Sequence, residues 1–312
     1  MPPCGPPWLG RDRYQNIGIR LRDDTTDPIS VINGVTVLTV DALPALVQAV
    51  GYLKYRAGGP TYLRGQATLH NSMLPSLFRG AKRPQHRGSH LDRFIASTSP
   101  WRCQHRGHRI KDCPEPLGQA SRGTIGMFGG GVPRYAAEPL LQHYGLNTRW
   151  LDLVDNLWIA LWFACHWFDG VEGYRHPVRR NLNDGRDNYV YIISVSLPGT
   201  ARSVQPGLIH VGGRGRVADL RQAVPSFYLR PHAQHGLLVR AHNDDYKNLE
   251  LAALCIPLAS ALEWLGASLL LSPYALFPPP SVDLGYRRML QATALVPRAT
   301  ALGQVDLYGA GH

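Results

Sequence analysis

The run from Val35 to Val40, "VTVLTV", is β-branched at every position but Leu38 and reads as a strand. Leu43, Leu46, Val47, Val50 and Leu53 then recur at helical spacing up to about Arg56, with Asp41 placed to cap that helix and "GGP" at 58–60 to stop it. "TYLRGQ" (61–66) follows as a short strand ending at a glycine. A short helix after Pro139, an apolar helix running to about Phe168, and strands at 189–197, 235–242 and 249–258 carry the next clear signals; helices are expected at 259–271 and 283–294. The segments 169–187 and 200–225 read as polar or glycine-rich loops. Strands and helices mix without a regular βαβ alternation, so the expected class is α+β: a single mixed domain over 35–296, with a split or strongly twisted sheet and flanking helices. Residues 1–34 are expected to form a loosely ordered lead-in and 297–312 a tail.

The tract 80–135 breaks this pattern. From Arg79 to Lys111 there are nine Lys or Arg, four His and a single acid, Asp92, before the chain passes into "MFGGGVP". Without periodicity it reads as a mobile basic insertion. The whole chain is also basic, with a net charge of +11, which favours polyanionic partners. Residues 79–111 could follow a phosphate backbone by releasing counterions, giving non-specific nucleic-acid binding. With only Phe94 and Trp101 as aromatics, base stacking there is thin.

Cys103, His105, His108 and Cys113 are ligand types for zinc, but their spacing matches no standard structural site, so no metal is expected. Five cysteines, an odd number, do not suggest a disulfide framework, and the first residues lack the apolar run of a secretory signal; the expectation is a reducing cytoplasm. No apolar run of about eighteen residues marks a membrane span. Nothing in the pattern speaks to oligomeric state.

Candidate chemistry gathers in "HYGLNTRWLDLVDNLWIALWFACHWF" (143–168), where His143, Thr148, Arg149 and Asp152 introduce a segment holding four of the seven tryptophans. Charges carried into a buried segment must be satisfied. Two readings stay open: the charged residues brace one another in the core, or they leave a polar pocket for a ligand. Arg64, on a strand and followed by Gly65, could hold a phosphate bidentately or pair with Asp152. The polar group lies just before a helix N-terminus, where free N–H groups favour an anion. Gln66, Arg230 and Gln234 are further candidates for hydrogen bonds to a ligand, and Trp150, Trp158 and Trp162 for an apolar wall against a flat ring.

Four blocks together resemble the FRG domain, named for a Phe/Tyr-Arg-Gly motif. They are "YLRGQ" with "LPSLFR" (62–66, 74–79), "QHYGLNTRWLDLVDNLWIALWFA" (142–164), "LRPHAQHGLLV" (229–239) and "YALFPPPSVDLGYRRML" (274–290). Val154 stands where that family has a threonine, so Asp155 is expected to cap the following helix. A weaker similarity links "YLRG" (62–65) and "FIASTS" (94–99) to ADP-ribosyltransferases of the Arg-Ser-Glu class. These resemblances imply a cleft for a phosphorylated ligand, with NAD as the cofactor and Arg64, Gln66, Thr148, Arg149, Arg230 and Gln234 as binding residues. The glutamate of that class is missing: "QHG" (234–236) has glycine in its place, so Asp152, Glu250 and His143 are the candidate catalytic groups for an NAD-dependent transfer or hydrolysis. A non-catalytic module, associated with nucleic acid or with another protein, is the alternative.

Overall fold

The computed structural model describes residues 19–21, 31–32, 35–57, 59–70, 73–79, 91–92, 95, 131–171, 174–197, 199–212, 214–246, 249–266, 271–294, 305 and 307–308. The expected signals at 35–66 become strand β3 (Val35–Val40), helix α1 (Leu43–Arg56) and strand β4 (Thr61–Gln66). Asp41 does not cap α1: Ala42 holds the cap position without a side-chain bond, and Pro44 supplies the start. Strands β8 (Tyr189–Ser196) and β13 (Glu250–Pro257) join β3 and β4 in one sheet of order β1-β3-β13-β8-β4, where β1 is Ile19–Leu21. Strand β2 (Val31–Ile32) also pairs with β3, so parts of the expected lead-in belong to this sheet. Within this sheet, among the described residues, only the β3–β13 pairing is parallel.

A second sheet is antiparallel throughout, in the order β5-β12-β11-β10-β9. It comprises β5 (Leu151–Leu153), β9 (Thr200–Arg202), β10 (Leu208–Val211), β11 (Gly215–Asp219) and β12 (Leu237–Ala241). The expected loop 200–225 therefore supplies three strands, followed by helix α4 (Leu220–Ala223). A third sheet sets β6 (His166–Val171) against β7 (Tyr174–Arg179), with β14 (Leu307–Tyr308) alongside β7. The apolar helix, α3 (Leu157–Ala164), thus stops before Phe168, and the expected loop 169–187 begins as a hairpin. Asn156, not Asp155, caps α3, its side chain accepting from Trp158 N and Ile159 N.

Alternation along β8 and β13 sorts the core into layers. Val190, Ile192, Leu254 and Ile256 face α1, α3 and α6 (Leu258–Leu265), while Tyr191, Ile193, Ala253 and Cys255 face the second sheet with Leu153, Val217 and Val239. The far side of the second sheet is covered by α2 (Arg134–His143), α4 and α8 (Leu284–Ala294). The order is helices, sheet, sheet, helices. Two short helices, α5 (Leu229–Ala233) and α7 (Pro273–Leu276), fill the remaining edge.

The basic tract lies almost wholly outside the described residues, as do the four zinc-type ligands and most of 94–99. Its described part is not detached from the core. Leu91 is fully buried beside Leu77, Leu140 and Trp150, with Ile95 packed on that cluster. Among the described residues no helix is long and apolar enough to cross a membrane.

Candidate functional site

The first two sheets meet edge to edge. Leu63 on β4 and Val154 after β5 exchange both backbone hydrogen bonds, each 2.8 Å, so β4 and β5 form a seam. On the helix side Gly65 lies so close to α3 that a Cβ there would come within 1.8 Å of the Ala160 carbonyl oxygen. The glycine next to Arg64 is therefore a packing requirement of α3. Tyr62, Arg64 and Gln66 alternate onto the opposite face, between the sheets.

Arg64 donates from Nη1 to the Asp152 carbonyl oxygen at 2.6 Å. With the Gln66 amide turned to satisfy both its ends, Gln66 Oε1 accepts from Arg64 Nε at 3.0 Å and its nitrogen donates to Thr68 O. The Asp152 side chain goes to the other face of β5, because Leu151 and Leu153 occupy the inter-sheet face. There it accepts from Gln142 Nε2 at 2.9 Å and lies 3.5 Å from His143 Nδ1. Burial raises the Asp152 pKa, but His143, Arg64 and Gln142 outweigh it and hold the carboxyl below its usual range. Arg64 is lowered to about 10 by burial, with Arg79 adding repulsion against the pull of Asp152. His70 is depressed by burial and by the charges of Arg79 and Arg64.

Gln142 Oε1 accepts from Ser76 Oγ (3.1 Å) and Thr148 Oγ1 (2.8 Å), and Thr148 in turn accepts from Trp150 N. Arg64, Gln66, His143, Thr148 and Asp152 are thus brought together, with Gln142 and Ser76 as members the sequence reading did not name. Among the described residues the second nitrogen of His143 has no partner, and Gly236 lies so close that a Cβ there would come within 2.6 Å of it. This contact accounts for the glycine of "QHG".

Arg149 stands apart from this group. Glu138 takes its Nε, Nη2 and backbone N–H at 2.8–3.0 Å, and Asp92 takes both terminal nitrogens at 2.5 and 3.3 Å. Burial lowers its pKa, but these carboxylates raise it further. Arg230 is fully buried behind His143, donating to the His143 carbonyl at 3.1 Å inside a box of Tyr144, Phe277, Tyr286 and Tyr308 rings 4.4–5.2 Å away. Gln234 donates to Leu276 O. Arg230 Nε and Nη2 have no hydrogen-bond partner among the described residues. Glu250 begins β13, and its side chain lies outside the described residues. The three tryptophans do not make one wall: Trp150 packs with α2, Trp162 stacks on His166 under the first sheet, and Trp158 is 37% exposed.

Beyond Tyr62 the seam opens into a cavity of about 350 Å³ that the sequence reading missed. Asp155, assigned from sequence to helix capping, lies in its wall beside Asp219 and Arg221. His235, on its left-handed backbone (φ 51°), binds Asp155 Oδ1 through Nδ1 at 2.8 Å. No periodic signal pointed to it, because Asp219 and Arg221 fall in the segment 200–225 that reads as a loop.

The family model of the FRG domain matches residues 60–169, the stretch that runs from β4 to β6 and holds both strands of the seam. The third and fourth resembling blocks lie beyond that match. No curated protein and no solved structure matches the chain.

Proposed function

We propose that this chain, which carries an FRG domain, binds a phosphorylated small molecule at the β4–β5 seam, with Arg64 holding the phosphate. One observation carries the reading. Arg64 is an inward-facing guanidinium whose hydrogen bonds go to a carbonyl and an amide, while the Asp152 carboxylate is taken by Gln142 and turned to the far side of β5. The Asp152 charge acts on this buried cation without bonding it, and a phosphate oxygen would give the guanidinium a direct anionic acceptor. Arg79 adds positive potential at the same place.

Within this class an NAD-like dinucleotide is the first ligand to try, with its diphosphate on Arg64. Arg149 is not part of this site, since Glu138 and Asp92 already hold it. The reading concerns binding; turnover is measured separately, as release of nicotinamide. Calorimetry with pyrophosphate and with NAD tests the binding on the native protein and on Arg64→Gln. Loss of a charge-assisted hydrogen bond weakens binding by roughly 1.5–3 kcal/mol. Absence of heat with both ligands, or equal affinity in the variant, refutes the proposal.

A further inference from the structure

On the outer face of the second sheet, Ala218 and Leu238 lie buried under the helices. One repeat along the same strands, His210, Arg216 and Arg240 stand directly opposite one another on β10, β11 and β12. Like charges placed across neighbouring strands destabilise a sheet. Glu138 is the carboxylate closest to hand, but it already accepts from Arg149 N, Nε and Nη2 and lies 3.6 Å from Arg240. Asp92 is taken by Arg149 as well. Among the described residues the Arg216 side chain has no hydrogen bond and no ion pair; its guanidinium lies over the Trp150 ring, 5.4 Å from the centroid. Burial and the Arg240 charge lower its pKa, Glu138 pulls the other way, and Arg149 adds to the lowering. Arg216 is nevertheless partly exposed, and His210 beside it is exposed. Two carboxylates thus face three guanidiniums, and the donors left over are those of Arg216.

An anion at Arg216 relieves this crowding, and the setting says which kind. The row lies on an open sheet face, outside the cavity beyond Tyr62, whereas small ligands are held in concave sites. An anion that fits here belongs to a chain with further anionic groups, and the net charge of +11 favours such a partner. Trp150 is 1% exposed beneath Arg216, so it offers no ring for a base to stack on. We propose that the His210–Arg216–Arg240 row contacts the phosphodiester backbone of a nucleic acid, with Arg216 donating to a phosphate oxygen and no base being read. This surface is independent of the Arg64 site.

Fluorescence anisotropy with oligonucleotides of about 20 residues and mixed sequence, titrated between about 50 and 200 mM salt, tests the proposal. It is run on the native protein, Arg216→Gln, His210→Glu and Arg64→Gln, with a melting curve for each. Arg216→Gln should weaken binding by at least about tenfold and reduce the slope of log Kd against log salt by roughly 0.7–0.9, alike for every sequence. Arg64→Gln should bind as the native protein does. Should Arg216→Gln fail to fold, His210→Glu, an exposed change in the same row, decides: it should weaken binding too. No binding by the native protein, or an unchanged affinity and salt slope in Arg216→Gln, overturns the proposal. So does a loss in Arg64→Gln of the size expected for Arg216→Gln, which would put the backbone at the seam. Equal binding of poly-glutamate, or displacement of the oligonucleotide by an equal concentration of inorganic phosphate, overturns it as well.

Discussion

Replacing Gly65 by alanine puts one methyl group between β4 and α3. The added Cβ would sit 1.8 Å from the Ala160 carbonyl oxygen and 2.8 Å from both the Ala160 carbonyl carbon and Ala164 N. Non-bonded heavy atoms settle at roughly 3.5–4 Å, so the helix backbone must retreat by more than about 1 Å. No side chain can rotate away to relieve this, because all three atoms are main-chain. Helix α3 carries Ile159, Ala160, Leu161, Trp162 and Ala164 into the core, and a shift loosens all of them. Overpacking a core costs about 1–3 kcal/mol, and backbone neighbours place this case at about 3 kcal/mol or above. With a urea m-value near 3 kcal/mol/M the denaturation midpoint falls by about 1 M. Gly51, in α1, is the control: nothing lies within 4 Å of its added Cβ, so Gly51→Ala should stabilise by about 0.5–1 kcal/mol. A Gly65→Ala protein within 0.5 kcal/mol of the native one refutes the packing account of the Arg-Gly pair.

Two further perturbations follow from the core. His166 stacks on Trp162 at 3.8 Å and donates from Nδ1 to Trp162 O, and burial lowers its pKa from 6.5 to about 4. The unfolded chain therefore takes up a proton there first, and stability present above pH 6.5 is lost as pH falls toward 4, by about 3 kcal/mol in all. Urea melts across that window should show this slope, and His166→Phe should flatten it; an unchanged slope in the variant contradicts the assignment. Asp283, fully buried, accepts from Tyr144 Oη, Leu229 N, Arg230 N and Tyr286 N at 2.7–3.2 Å. Asp283→Ala strands four donors in the core and should cost about 3–5 kcal/mol by denaturation, where a loss below 1 kcal/mol would show that the network has other partners.

Periodic segments with one buried face were legible in the sequence: β3, β4, β8, β12, β13 and α1 all appear where their apolar pattern put them. The strands at 166–179 and 200–219 were not, because sequences such as "YRHPVR" have polar residues on both faces and no alternation to read. At the site, the grouping of Arg64 with His143, Thr148 and Asp152 was visible in the motifs. The direction of each side chain was not. Asp152 and Arg64 meet through a backbone carbonyl because neighbouring β5 residues claim the inter-sheet face, a fact of strand orientation. Arg149 is held by Glu138 and Asp92, which lie 11 and 57 residues away in the chain and carry no local signature. Arg180, buried and bonded to Asp184 and to the carbonyls of Ala67, Asp187 and Tyr189, fixes a loop that looked merely polar.

The position of a bound phosphate tests the central claim most directly. A crystal structure of the protein with AMP should place a phosphate oxygen about 2.7–2.9 Å from the Arg64 guanidinium, on the inter-sheet face of β4. A phosphate found on Arg149 or on the 79–111 tract instead, with Arg64 still bonded only to Asp152 O and Gln66, would contradict it.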